Sequence, residues 1–260
     1  MVQLAEISWT EAYKVFEDND VALIPVGSTE QHGPHNPLGT DHLLAGALAK
    51  IIGDGTGIPV TPIVPVGISR HHRQFPGTLW VPPDVFREYM ISIALSLAEH
   101  GSTKIVYVNG HGGNSAAIME VCEDLRRDYD LFACMITSYP PGKLSGHAGA
   151  GETSQNLYFH PHLVHMDRAV DTVQNKNLGS LKLTGMSSVG PATFPWDTID
   201  ITDTGVLGKP SEKIVSTTAT VEMGKELMEP YIIEVMEFIK QLMDTDVEDL
   251  LPKPHKMVSQ

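Results

Sequence analysis

The feature that most constrains this chain is a pattern repeated along its first two-thirds. A short apolar run gives way to a loop containing Gly or Pro, and then to a stretch of helical periodicity, four times in succession. The apolar runs cover residues 21–26, 59–66, 104–108 and 131–137. The helical stretches after them cover residues 41–52, 84–100, 115–128 and 152–159. Strand, loop and helix in that rhythm predict an α/β protein with a mainly parallel sheet. A further helix over residues 9–18 opens on a capping-box pair, Ser8 and Glu11. Thr40 and Asn114 stand where N-caps are needed, and Gly101 where a helix should stop. Residues 170–210 are rich in Gly, Thr, Ser and Pro and read as irregular, with short strands. Residues 211–243 read as helical in two pieces around Pro230. The expected organisation is one domain over residues 1–251 and a loose tail over 252–260.

Parallel sheets place their sites in the loops at the carboxyl ends of the strands. Here the four successive loops carry His32, His72, His111 and His147. Glu30 and His32 share one side of an extended segment, because side chains alternate along it. Asp41 lies nine residues beyond His32 at a helix start, where the helix dipole favours an ionised carboxylate. The loop Asn109-Gly110-His111-Gly112-Gly113-Asn114 adds an imidazole on backbone that can approach closely. His147 and Glu152 stand five apart across a Gly-rich turn. Taken singly, each piece has a structural explanation: His147 and Glu152 could be a helix-cap pair. Taken together, three carboxylates and up to three imidazoles without a thiolate suit Zn, Mn or Fe(II). Three carboxylates would over-neutralise one ion, whereas a shared aspartate bridging two ions would not. Two such ions activate a water and polarise a carbonyl, which is chemistry for hydrolysing a C–N bond.

Composition removes other classes. Lys plus Arg total 18 against 32 for Asp plus Glu, a formal charge of -14 that would repel a phosphate backbone, so no nucleic-acid partner is expected. The C-terminal stretch is itself acidic and reads as a solvated helix face. No phosphate-binding loop, dinucleotide fingerprint, H-E-x-x-H helix or G-x-S-x-G elbow is present. Two cysteines, Cys122 and Cys134, make no disulfide framework and are expected to be reduced and buried. Neither a signal peptide nor an apolar run long enough to span a membrane is visible, so a cytoplasmic protein without a membrane partner is expected.

The string Val26-Gly27-Ser28-Thr29-Glu30-Gln31-His32-Gly33-Pro34-His35, followed by Asp41, resembles the first signature of the creatininase family of metal-dependent amidohydrolases. Phe75-Pro76-Gly77-Thr78, the loop around His111, and His147-Ala148-Gly149-Ala150-Gly151-Glu152-Thr153-Ser154 resemble its later signatures, in the family order. The likeness covers about residues 5–170, with a weaker echo in the C-terminal helix. It implies a three-layer α/β/α sandwich with a binuclear metal centre. Glu30 and His111 would bind one ion, His32 and Glu152 the other, and Asp41 both. His147 would carry the proton from the attacking water to the leaving nitrogen, and His72 with the turn at residues 75–78 would line the substrate entrance. Family members are often homohexamers, which implies a homo-oligomer.

Two departures bear on the substrate. Creatininase proper has a further glutamate two residues after the loop histidine, where this chain has Gly113. Creatininase also closes its pocket with tryptophans in the loop before the His147-like histidine; this chain has Tyr139, Pro140 and Lys143 there. Creatinine loses its stacking partners and is not the expected substrate. Tyr139 and Lys143 become candidate substrate contacts, the lysine for a carboxylate or phosphate. The leading expectation is hydrolysis of a small-molecule amide, cyclic or formamide-like. Two other readings are a narrow peptidase acting on a short modified peptide, and a non-catalytic metal- or ligand-binding protein.

Overall fold

The computed structural model describes residues 3–142, 146–172, 176–184, 187–207 and 216–253. Its centre is a parallel sheet. Val21–Val26 (β1) and Lys104–Asn109 (β2) are buried at every position. Phe132–Thr137 (β3) completes the order β1-β2-β3. Val21 pairs with Lys104, and Lys104 with Phe132. A strand covered on both faces needs apolar side chains on both, which is why these runs show no polar alternation.

Period two then divides the strand residues between two cores. Ala22, Ile24, Ile105 and Tyr107 meet Pro83–Ala98 (α3) and Ser115–Asp128 (α4), through Phe86, Met90, Ile118 and Leu125 among others. Val21, Leu23, Val106 and Val108 meet Thr40–Thr56 (α2) and the long helix Val221–Asp244, through Leu48, Ile52, Met228 and Ile239. Full burial of each such aliphatic side chain contributes about 1.5–3 kcal/mol. Helices on both faces of a parallel sheet make the expected α/β/α sandwich. Lys104, itself buried, ties the long helix to the sheet: its Nζ donates to the Leu242 carbonyl at 3.0 Å and pairs with Asp20 at 2.9 Å.

Several expectations are corrected. Residues 59–66 do not form a continuous strand. They run along β1 in two parallel bridges, at Val60 and Val64, because Pro59, Pro62 and Pro65 lack the N–H that a ladder needs. Thr40 is not an N-cap but the first residue of α2, its hydroxyl donating to the Pro37 carbonyl. Asn114 does not cap α4 with its side chain; its amide joins the Gly27 carbonyl to the Ile68 N–H. Pro230 does not divide the long helix, which passes through it unbroken with the ring on an exposed face. Part of that expectation, residues 211–215, and most of the 252–260 tail lie outside the described residues. The irregular stretch does contain short strands, in a small antiparallel sheet packed on Ile201 and Leu207. No described helix is long and apolar enough to cross a membrane.

The N-terminus of α2 presses directly on the ends of β1 and β2, and two glycines allow it. A Cβ on Gly27 would lie 2.3 Å from the His42 nitrogen, and one on Gly110 would lie 2.0 Å from the Asp41 carbonyl oxygen. Both neighbours are backbone and cannot rotate away. Gly110→Ala is therefore expected to lower stability by about 1–3 kcal/mol, read as a drop in denaturant midpoint at unchanged slope. An unchanged midpoint would show that α2 can move aside.

Candidate metal centre

All the loops that carry candidate residues open at the same end of the sheet. Glu30 follows β1, and its N–H is held by the Leu38 carbonyl. His32 is fully buried, and its Nδ1 donates to the Glu30 carbonyl at 3.1 Å. A carbonyl only accepts, so that bond leaves Nε2 facing inward. His111 is arranged in the mirror sense: Nε2 donates to the Ile68 carbonyl at 3.1 Å, and Nδ1 faces inward. Asp41 stands in the first turn of α2, and Glu152 in the first turn of Ala150–Phe159 (α5). Both carboxylates thus sit at positive helix ends.

These side chains converge. Asp41 Oδ1 lies 3.1 Å from His32 Nε2, and Asp41 Oδ2 lies 3.0 Å from His111 Nδ1. Glu30 Oε2 is 3.2 Å from His111 Nδ1, and Glu152 Oε1 is 3.5 Å from His32 Nε2. One aspartate therefore lies between two carboxylate–imidazole pairs, Glu30 with His111 and His32 with Glu152. Despite the close approach, both Glu30 oxygens, Asp41 Oδ2 and His32 Nε2 are buried without a hydrogen-bond partner. Buried polar atoms without partners are costly. Converging oxygens and nitrogens of this kind, each imidazole fixed by a backbone carbonyl on its far side, fit divalent cations. Glu30, Asp41 and His111 form one group with mutual ligand distances inside 4.8 Å; His32, His147 and Glu152 form another; Glu30, His72 and His147 form a third.

The electrostatics divide the histidines. Burial alone would push His32 and His111 down, but the carboxylates overcome it. Glu152 and Asp41 hold His32 well above the usual imidazole range, and Glu30 and Asp41 do the same for His111. Burial would raise Asp41 and Glu152; the facing imidazoles lower both instead. His147, His72 and His71 go the other way, held down first by burial and then mostly by neighbouring imidazoles.

His147 enters from the loop after β3. Its backbone pairs with Leu207, and Nδ1 lies 3.9 Å from Glu30 Oε1. The next residue, Ala148, has φ 55°, a left-handed conformation costing about 1–2 kcal/mol for alanine. That turn directs the Ala148 N–H onto Glu152 Oε2 at 2.6 Å. His72, in the short helix Arg70–His72, places Nε2 3.2 Å from Glu30 Oε1. Tyr139 lines the same cavity, and burial pushes its phenol up. Lys143 lies outside the described residues. The cavity has a volume of about 240 Å³, and among the described residues no tryptophan lines it. Gly113 leaves no space for a side chain: a Cβ would lie 2.4 Å from His111 Nε2 and 2.5 Å from the Ile68 carbonyl oxygen.

Sequence reasoning missed three residues here. His71 lines the cavity beside His111, the rings 5.8 Å apart and nearly parallel; its place next to His72 was the available signal. Ala148 carried no signal, since nothing in an alanine announces a positive φ. Gln31 contacts both His72 and His147, and only its position between Glu30 and His32 could have drawn notice.

Comparison with known proteins gives the family and the fold. The family described as "Creatininase: Creatinine amidohydrolase" matches residues 5–239. A mycofactocin precursor peptide peptidase of Mycolicibacterium smegmatis is 33% identical over 230 residues, covering 85% of each chain. The creatinine amidohydrolase of Pseudomonas putida is 28% identical, over 92% of this chain and 96% of its own. A solved manganese form of creatininase superimposes with a TM-score of 0.76 at 25% identity, over 94% of this chain and 99% of its own; a Zn-Zn form is also known. The chain belongs to the creatininase family, a family of amidohydrolases.

Proposed function

We propose that this protein is a metal-dependent hydrolase that cleaves the C–N bond of a small-molecule amide with two divalent cations. Asp41 carries this reading, because its two oxygens face His32 and His111 separately. Glu30 and His111 would hold one ion, His32 and Glu152 the other, and Asp41 would serve both; zinc, manganese and iron(II) all suit this donor set. When bound, the pair supplies concentrated positive charge and a water activated for attack.

The remaining work falls to side chains. Burial holds the His147 imidazole below its usual range, which favours the neutral ring a proton acceptor needs. Its inward-facing Nδ1 accepts a proton from the attacking water and returns it to the leaving nitrogen. His72 and Tyr139 line the cavity and hold the substrate, and Lys143 is retained as a candidate for a substrate carboxylate or phosphate. A cavity of about 240 Å³ is below the roughly 300–1,000 Å³ that encloses drug-sized ligands, and so favours a small amide group. The lack of a lining tryptophan disfavours a stacked creatinine ring.

A second reading, a peptidase for a short modified peptide, is favoured by the 33% identity to the mycobacterial peptidase. Screening formamides, cyclic amides and short peptides with each metal restored separates the two. Formate or a ring-opened product supports the first, and a released amino acid the second. Assembly as a homo-oligomer, a hexamer included, belongs to the same proposal and is read by light scattering.

Asp41→Ala is expected to lose both ions. Elemental analysis finding two per subunit in that variant would reject the bridging role. His147→Ala is expected to keep its metal and lose about 10²–10⁴-fold in turnover; activity close to wild type would remove the proton-carrier assignment. In the metal-free site the facing carboxylates hold His32 and His111 above the usual imidazole range, which favours their protonated forms. Zinc competes with protons for those rings, so its affinity should fall as pH falls, with protons released on binding. Calorimetry in buffers of different ionisation heat reads that release, and zero release would show that the rings are already neutral before zinc binds.

A further inference from the structure

Gln31 lies between two ligand residues in sequence, yet its side chain turns to the other side and contacts three distant segments. It is 5% exposed. Its amide orientation follows from partners that have only one hydrogen-bonding role. Oε1 faces the Gly33 N–H at 3.0 Å, which can only donate. Nε2 faces the Gly205 carbonyl at 3.2 Å, which can only accept. The amide nitrogen therefore donates, and its second hydrogen is directed to His72 Nδ1 at 2.9 Å. The Thr198 hydroxyl lies 2.8 Å from the same Nδ1. Since the amide can only donate there, His72 Nδ1 holds a lone pair, the ring is neutral, and its proton sits on Nε2. That proton faces Glu30 and the cavity.

The main chain of Gln31 acts on the opposite ring. His147 Nε2 lies 2.7 Å from the Gln31 carbonyl, so Nε2 must carry a hydrogen and Nδ1 a lone pair toward the site. The Gln31 amide nitrogen also lies 2.9 Å from His147 Nε2, with both its hydrogens directed to other acceptors. Swapping the protons would set a lone pair of His147 against a carbonyl oxygen and two hydrogens against each other at His72.

We propose that Gln31 is a positioning residue that gives His72 and His147 the same tautomer turned opposite ways, so that His147 shows the cavity a basic nitrogen and His72 shows it an N–H. His72 is then excluded as a metal ligand in the group Glu30, His72 and His147, and acts as a fixed donor to oxygen. The tautomers stand on hydrogen bonds alone; their catalytic meaning rests on the hydrolase reading above.

The test is long-range nitrogen–proton correlation NMR of the histidine rings, first in metal-free protein and then with zinc. Both rings should show a protonated Nε2 in the wild type. Free imidazole already leans that way, so variants decide. In Gln31→Glu the carboxylate can only accept, and His72 should move its proton to Nδ1, carrying that nitrogen from its downfield to its upfield position. His147, held by main chain, should not change. A His72 that keeps its Nε2 proton in Gln31→Glu, or a His147 that shifts with it, overturns the proposal. Thr198→Val provides a second reading should Gln31→Glu not fold: the wild-type His72 pattern should persist, and its loss would assign the lock to Thr198 and overturn the role of Gln31. Elemental analysis of the same wild-type sample keeps the two ideas apart, since a protein that takes up no metal ends the hydrolase reading and leaves the tautomer result standing.

Discussion

Everything at the site depends on where the Asp41 carboxylate is held. The residue belongs to the first turn of α2, and that turn is pushed onto the strand ends until only glycine fits at positions 27 and 110. From there one oxygen reaches the imidazole from the first loop and the other reaches the imidazole from the loop after β2. The packing of a helix against two strands therefore brings the two carboxylate–imidazole pairs together around one aspartate.

The same arrangement explains the division among the histidines. Two buried imidazoles each lie against two carboxylates and are held above the usual range, toward their charged form; three others are held below it by burial and by neighbouring imidazoles, toward the neutral form. A buried cluster of carboxylates is unfavourable without positive charge nearby. In the metal-free protein that need favours protonation of His32 and His111, and divalent ions would meet it more completely. The rings held neutral are the ones able to donate or accept at a substrate. His32 and His111 each face two carboxylates, whereas His72 and His147 reach only Glu30 and lie among other imidazoles.

Much of this was legible in the chain. The buried strands were readable because a strand covered on both faces needs continuous apolar residues. The candidate ligands were readable because carboxylates and imidazoles recur at strand ends, where parallel sheets build sites. The edge segment at residues 59–66 was misread because its apolar content resembles a strand while its prolines interrupt the ladder. Pro230 was misread because an exposed proline ring is tolerated within a helix whose other face is firmly packed. The antiparallel strands near residues 177–193 are too short to leave a periodic signal.

By itself, the order of apolar runs and polar loops determined the layered α/β architecture and which residues could supply ligands, since burial and ligation both demand particular side-chain types. Only the tertiary structure decided which nitrogen of each ring faces inward, because that choice belongs to carbonyls of Glu30, Gln31 and Ile68. Backbone carbonyls are the same in every residue and leave no trace in the amino-acid letters. Their positions exist only once the loops are packed together.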